Sequence, residues 1–158
     1  MERQTYHKYM YTIAAVWNWV LSISFLVLPR IDLAYFSLAG PMNPPPTLLW
    51  FDSFFGLVFA FGLGFYFISK SQTDNHGLVK IAIFEKTWVF VMGLYYFIIA
   101  QASIWVLVVV SGDLLFGFLF FEDLKVSMKL LTKEEKNSVS QLGTPEIMDY
   151  QVSRDSHT

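Results

Sequence analysis

Residues 103–121 read SIWVLVVVSGDLLFGFLFF, a run whose one ionisable side chain is Asp113. At a helical rise of ~1.5 Å per residue, such a run covers most of the ~30 Å hydrocarbon layer of a bilayer. It is continuously apolar and lacks the dyad alternation of a barrel strand. In lipid the backbone must satisfy its own hydrogen bonds, so the run predicts a membrane-spanning helix.

Three more runs of the same kind lie upstream, at about 11–28, 48–68 and 81–100. The first follows Arg3 and Lys8 as a signal-peptide core would. It is long for such a core, however, and no small-x-small cleavage pattern precedes Pro29-Arg30, so it reads as an uncleaved span. The expectation is an all-α fold, a bundle of four transmembrane helices within 1–121. Composition agrees: 54% of the 158 residues are hydrophobic and 15% charged, with mean hydropathy +0.45. A soluble domain of this size has too little interior to hide that much apolar surface.

The connections are unequal. In 29–47, Asp32 is placed to cap a short helix that Gly40-Pro41 ends, with Leu33, Tyr35, Phe36 and Leu38 in the membrane interface. Pro44-Pro45-Pro46 then extends the chain before Trp50 anchors the second span. A turn is expected at Asp74-Asn75-His76-Gly77. A tight turn near Gln101-Ala102-Ser103 makes spans three and four an antiparallel hairpin. Residues 122–136 read as an amphipathic helical extension. Leu124, Met128 and Leu131 share one face, and Lys125, Lys129, Lys133 and Lys136 suit anionic headgroups. Residues 137–158 read as a polar, disordered tail.

Charge placement predicts the orientation. Arg3, Lys8, Lys70, Lys80, Lys125, Lys129, Lys133 and Lys136 fall on one side of a four-span topology, and only Arg30 falls on the other. Positive residues stay cytoplasmic, so both termini are expected inside.

Rows of small residues mark where helices approach. Gly56, Ala60 and Gly64 recur at four-residue spacing in span two, a small-xxx-small pattern. Ala14, Asn18 and Ser22 form a narrow, partly polar row in span one. Gly93 in span three and Gly117 in span four complete the expected packing positions, the latter four residues from Asp113.

Ionisable residues at membrane depth are costly and face the protein interior. Asn18, Lys86 and Asp113 lie at similar depth from the same end and are expected to share one polar layer. Lys86 pairs with Asp113, and Asn18 bonds to the pair. Glu85 competes for Lys86 or faces the headgroups. Asp52, in the first turn of span two, suits the positive end of the helix dipole.

Several chemistries are absent from the pattern. There is no cysteine, hence no disulfide or thiolate metal ligand. His7, His76 and His157 have no ligand spacing, and no P-loop, nucleophile elbow, zinc motif or cofactor motif occurs. No basic stripe suits a nucleic acid.

The run Trp50-Phe51-Asp52 through Gly62-Leu63-Gly64, then Asn75-His76-Gly77, Glu85-Lys86 with Phe90, and Gly112-Asp113-Leu114-Leu115-Phe116 resembles a group of small, uncharacterised bacterial four-helix membrane proteins. They are loosely grouped as DoxX-like. The resemblance covers about 11–121. It implies the four-helix fold and a bacterial cytoplasmic (inner) membrane, and it implies no particular activity.

Three functional classes follow. The favoured one is a non-enzymatic accessory, scaffold or lipid-binding protein, whose partners are membrane lipids and a protein partner or a second copy. The second is a quinone- or lipid-binding subunit of a redox or lipid-modifying complex. The third is a small-solute or proton transporter working as an oligomer, for which no inverted repeat is visible.

Overall fold

The computed structural model describes residues 3–40, 46–71 and 75–142. They form α1 (Arg3–Ile31), a 3-10 turn (Leu33–Tyr35), α2 (Phe36–Ala39), α3 (Leu49–Lys70), α4 (His76–Ile98) and α5 (Ile104–Leu142). No strand occurs among the described residues. Four helices, α1, α3, α4 and α5, are long and apolar enough to cross a membrane. The chain divides into two compact units, residues 1–124 and 125–158. The triple proline lies partly, and the 143–158 tail wholly, outside the described residues.

In the first unit the core is a set of facing stripes. The buried positions of α1 are His7, Met10, Tyr11, Ala14, Ala15, Asn18, Ser22 and Pro29, which fall on one face at helical spacing. On α4 they are Val79, Ala82, Lys86 and Gly93. On α5 they are Val110, Asp113, Gly117, Phe120 and Asp123. Phe65, Phe120 and Tyr11 fill the centre, with the Tyr11 and Phe120 rings stacked at 4.7 Å and Phe65 5.2 Å from Phe120. The opposite faces carry exposed apolar side chains, among them Ile13, Val20, Phe67, Phe84 and Phe118. For a membrane helix this is the ordinary arrangement, because lipid solvates them.

Small residues set the close approaches, but not all at the expected positions. A Cβ on Gly93 would lie 2.7 Å from Val110, one on Gly64 3.3 Å from Leu78, and one on Gly117 3.4 Å from the Lys86 side chain. Gly56 and Ala60 behave otherwise. Both are exposed, and a Cβ on Gly56 would meet nothing within 4 Å. They belong to an outward stripe with Leu49, Ser53, Leu63 and Phe67. The face of α3 that meets α1 is the opposite one, carrying Phe51, Phe55, Val58, Gly62 and Phe65. Ring burial explains the choice. Phe25 stacks on Phe55 at 4.5 Å and meets Phe51 edge-on at 6.3 Å, an aromatic volume the small row has no means to match. The glycine that admits a partner there is Gly62, where a Cβ would stand 2.5 Å from Trp19 Nε1.

At the end of the bundle away from the N-terminus, a short segment folds back. Asp32 caps the 3-10 turn, its carboxylate accepting from Ala34 N at 2.8 Å. Phe36 is buried against Phe51, while Leu33 and Leu38 point outward. Ser103 donates its N–H to Ala39 O (2.7 Å) and its hydroxyl to Leu38 O, which ties this segment to the α4–α5 turn. Gly40 is needed for that fit, because a Cβ there would stand 2.7 Å from Gln101 O. The turn itself is tight. Gln101 N and Ala102 N both donate to Tyr96 O, at 2.8 and 3.0 Å, and Ala100 takes the left-handed conformation (φ 58°).

Helix bounds differ from the apolar runs in three places. α1 begins eight residues before the first run, because Met10 and Tyr11 pack in the core and His7 is buried against Asp123. His76 and Gly77 already belong to α4 instead of a turn, and Asp74 lies outside the described residues. Leu78 and Val79 account for this, the first resting on Gly64 and the second fully buried. α5 continues through 137–142, where the sequence suggested the start of a disordered tail. Helix propagation adds a hydrogen bond for each residue fixed, so a helix already nucleated extends into polar sequence.

In the second unit, residues 125–142 are helical. Lys125, Lys129, Lys133 and Lys136 are exposed along one face, and Met128 and Leu131 are exposed beside them.

Candidate functional site

Lys86 is the most deeply buried charge, 1% exposed. Its position on α4 follows from the buried stripe of Val79, Ala82, Lys86 and Gly93. The ammonium donates to Asn18 Oδ1 of α1 at 2.8 Å and to Asp113 Oδ1 of α5 at 2.6 Å. It also lies 5.4 Å from the centre of the Phe65 ring of α3. Asn18 uses its other end to donate to Val58 O of α3 at 3.2 Å. The layer therefore touches all four long helices. Glu85, the neighbouring residue, places Oε2 3.5 Å from Lys86 Nζ, at ion-pair distance, but accepts no hydrogen bond there.

A buried charge is tolerated only when paired and hydrogen-bonded. Lys86 meets both conditions with groups from its own chain. Asn18 suits the task because its carbonyl accepts from the ammonium while its amide donates to a backbone carbonyl. Gly117 matters in the same place, since it lets α5 close on the stem of Lys86.

A second buried polar cluster sits at the N-terminal end of the bundle. Asp123 of α5 is 2% exposed and faces three residues of α1 at four-residue spacing: Arg3, His7 and Tyr11. His7 Nδ1 contacts Asp123 Oδ1 closely, Tyr11 donates to Oδ2 at 3.4 Å, and Arg3 lies at 3.9 Å. The sequence reading missed this cluster. One signal was present: Asp123 continues the stripe of Val110, Asp113, Gly117 and Phe120, and the spacing of Arg3, His7 and Tyr11 puts them on one face of α1. The stacked rings of Tyr11 and Phe120, with Phe65 beyond, separate this cluster from the Lys86 layer.

At the opposite end, Asp52 pairs with Arg30 at 2.6 Å. The carboxylate that sequence assigned to a helix dipole has a specific partner on α1, and both effects act together.

Among the described residues, no group of three or more His, Asp or Glu side chains is arranged to hold a metal ion. No protein-family model matches the chain, and no curated protein or solved structure matches it.

Proposed function

We propose that the protein is a non-enzymatic, four-span membrane protein that acts as an accessory or scaffold subunit and contacts anionic lipid. One observation supports this most directly. The Lys86 ammonium is bonded to Asn18 and Asp113, has Glu85 at ion-pair distance, and is shut off from outside. Its role on this reading is to lock the four helices in register, as buried polar groups do in bundles. Both termini lie on the cytoplasmic side of a bacterial inner membrane in this proposal. The lysines at 125, 129, 133 and 136 then stand where anionic headgroups attract them by about 1 kcal/mol each near the surface. The likeness to DoxX-like proteins is, on this view, one of architecture.

The topology is testable with single cysteines, because the chain has none. A membrane-impermeant maleimide should label Thr47→Cys from outside intact cells and Ser140→Cys only after lysis. The reverse pattern refutes the orientation. For function, extraction in mild detergent followed by mass spectrometry should find a stoichiometric protein partner together with anionic lipid. A bound quinone in its place would favour a redox subunit, and a homodimer enclosing a water-filled cavity would favour a transporter.

A further inference from the structure

The Lys86 layer contains two carboxyl groups and only one ammonium. Lys86 and Asp113 form a neutral pair at 2.6 Å. Glu85 is left over. Its side chain is 12% exposed, and its Oε2 is closed to solvent and accepts no hydrogen bond. The nearest cation is the same Lys86 ammonium, 3.5 Å away and already bonded to Asn18 and Asp113. The groups facing this point from the other helices are Asn18 of α1, the Phe65 ring and Val58 carbonyl of α3, and Asp113 of α5. None of them supplies a second positive charge. With both carboxyls ionised the layer would carry one uncompensated negative charge at membrane depth. Such a charge is strongly disfavoured when neither paired nor hydrated.

We propose that Glu85 is a proton-binding site, and that the layer takes up one exchangeable proton on this carboxyl. Uptake converts the carboxylate to the acid and brings the layer to neutrality, and release returns the proton to water with no other bond changed. Lys86 and Asn18 are closed off more completely than Glu85, which is the member best placed to exchange with the outside. The Lys86–Asp113 and Lys86–Asn18 bonds are made in both states, so the bundle stays locked while the charge of the layer changes by one unit. The inference rests on the membrane-spanning reading and is independent of the scaffold role.

Infrared spectroscopy of the full chain in lipid nanodiscs at neutral pH tests it. The wild type should show a carboxylic-acid C=O stretching band that shifts down in D2O. The band should be lost in Glu85→Gln. It should also be lost in Asp113→Asn, because Glu85 must then ionise to serve as the counter-ion of Lys86. Absence of the band in the wild type, or its survival in Glu85→Gln, overturns the proposal. A sodium ion bound in place of the proton would leave Glu85 ionised and give the same negative result. If Glu85→Gln does not fold, Glu85→Asp decides: the band should be kept but move in frequency, and an unmoved band overturns the proposal. Failure of the wild type to enter nanodiscs would speak against the membrane reading itself, a separate outcome.

Discussion

Two ion pairs in this protein have the same N–O separation, 2.6 Å, and very different surroundings. Lys86–Asp113 is shut inside the bundle, whereas the side chains of Arg30 and Asp52 are 51% and 33% exposed. Distance therefore says little about what each contributes. The outer pair exchanges water for a partner in a high-dielectric setting and gains little. The inner pair has no water to return to, so losing one member leaves the other to find a new partner or stay uncompensated, even where the pair as a whole is no more stable than an apolar substitute.

The sharpest way to break this comparison is to remove one member of the inner pair. Lys86→Met alone should destabilise the bundle by ~3–5 kcal/mol, the penalty of a stranded buried charge, and Asp113→Leu by less, because Glu85 at 3.5 Å can take over as counter-ion of Lys86. The double replacement should regain most of the loss, as read from unfolding midpoints in mixed micelles. If the double variant is as unstable as the singles, the pair does more than satisfy itself.

The cluster around Asp123 should fall between the extremes. Asp123→Leu leaves the buried Tyr11 hydroxyl without its acceptor, and a loss of ~1–3 kcal/mol is expected for such a group. His7→Ala in the Asp123→Leu background should add little, because the two act as one unit.

Packing sharpens the contrast between the inner and outer faces of α3. Gly62→Ala forces a methyl group against Trp19 and should destabilise by ~1–3 kcal/mol, as overpacking does. Gly56→Ala should leave the monomer unchanged within measurement error. A large effect of Gly56→Ala would reveal a helix from another chain on that face.

Arg30→Ala should weaken the bundle by only ~0–1 kcal/mol, and less at high salt, because exposed pairs are screened. An effect as large as that of Lys86→Met would end the distinction between the pairs. A small change, in the stabilising direction, should come from Ala100→Gly, read from the same unfolding midpoints. Relief of the left-handed conformation in the α4–α5 turn is worth at most ~1–2 kcal/mol, offset in part by the greater chain entropy of glycine when unfolded.

Much of this architecture was legible in the chain. The four apolar runs determine four long helices, because hydrophobic thickness and backbone satisfaction leave no other spanning structure. Asn18, Lys86 and Asp113 were readable as one layer from helical rise alone, since equal depth on neighbouring helices brings polar groups together. The turn near Gln101-Ala102-Ser103 and the capping role of Asp32 were equally local. Such features depend on near neighbours in sequence, so one strand of information suffices.

Only the tertiary structure decided which face of each helix turns inward. Gly56, Ala60 and Gly64 form a good packing row by spacing, yet α3 presents Phe51, Phe55, Val58 and Gly62 to α1. That choice depends on Phe25 and Trp19, residues of another helix. Asp123 appeared as part of a charged extension until α1 was seen to bring Arg3, His7 and Tyr11 against it. Spacing determines which residues share a face. Which face is buried depends on complementary volume and charge from a partner far away in sequence, and that information exists only once the helices meet.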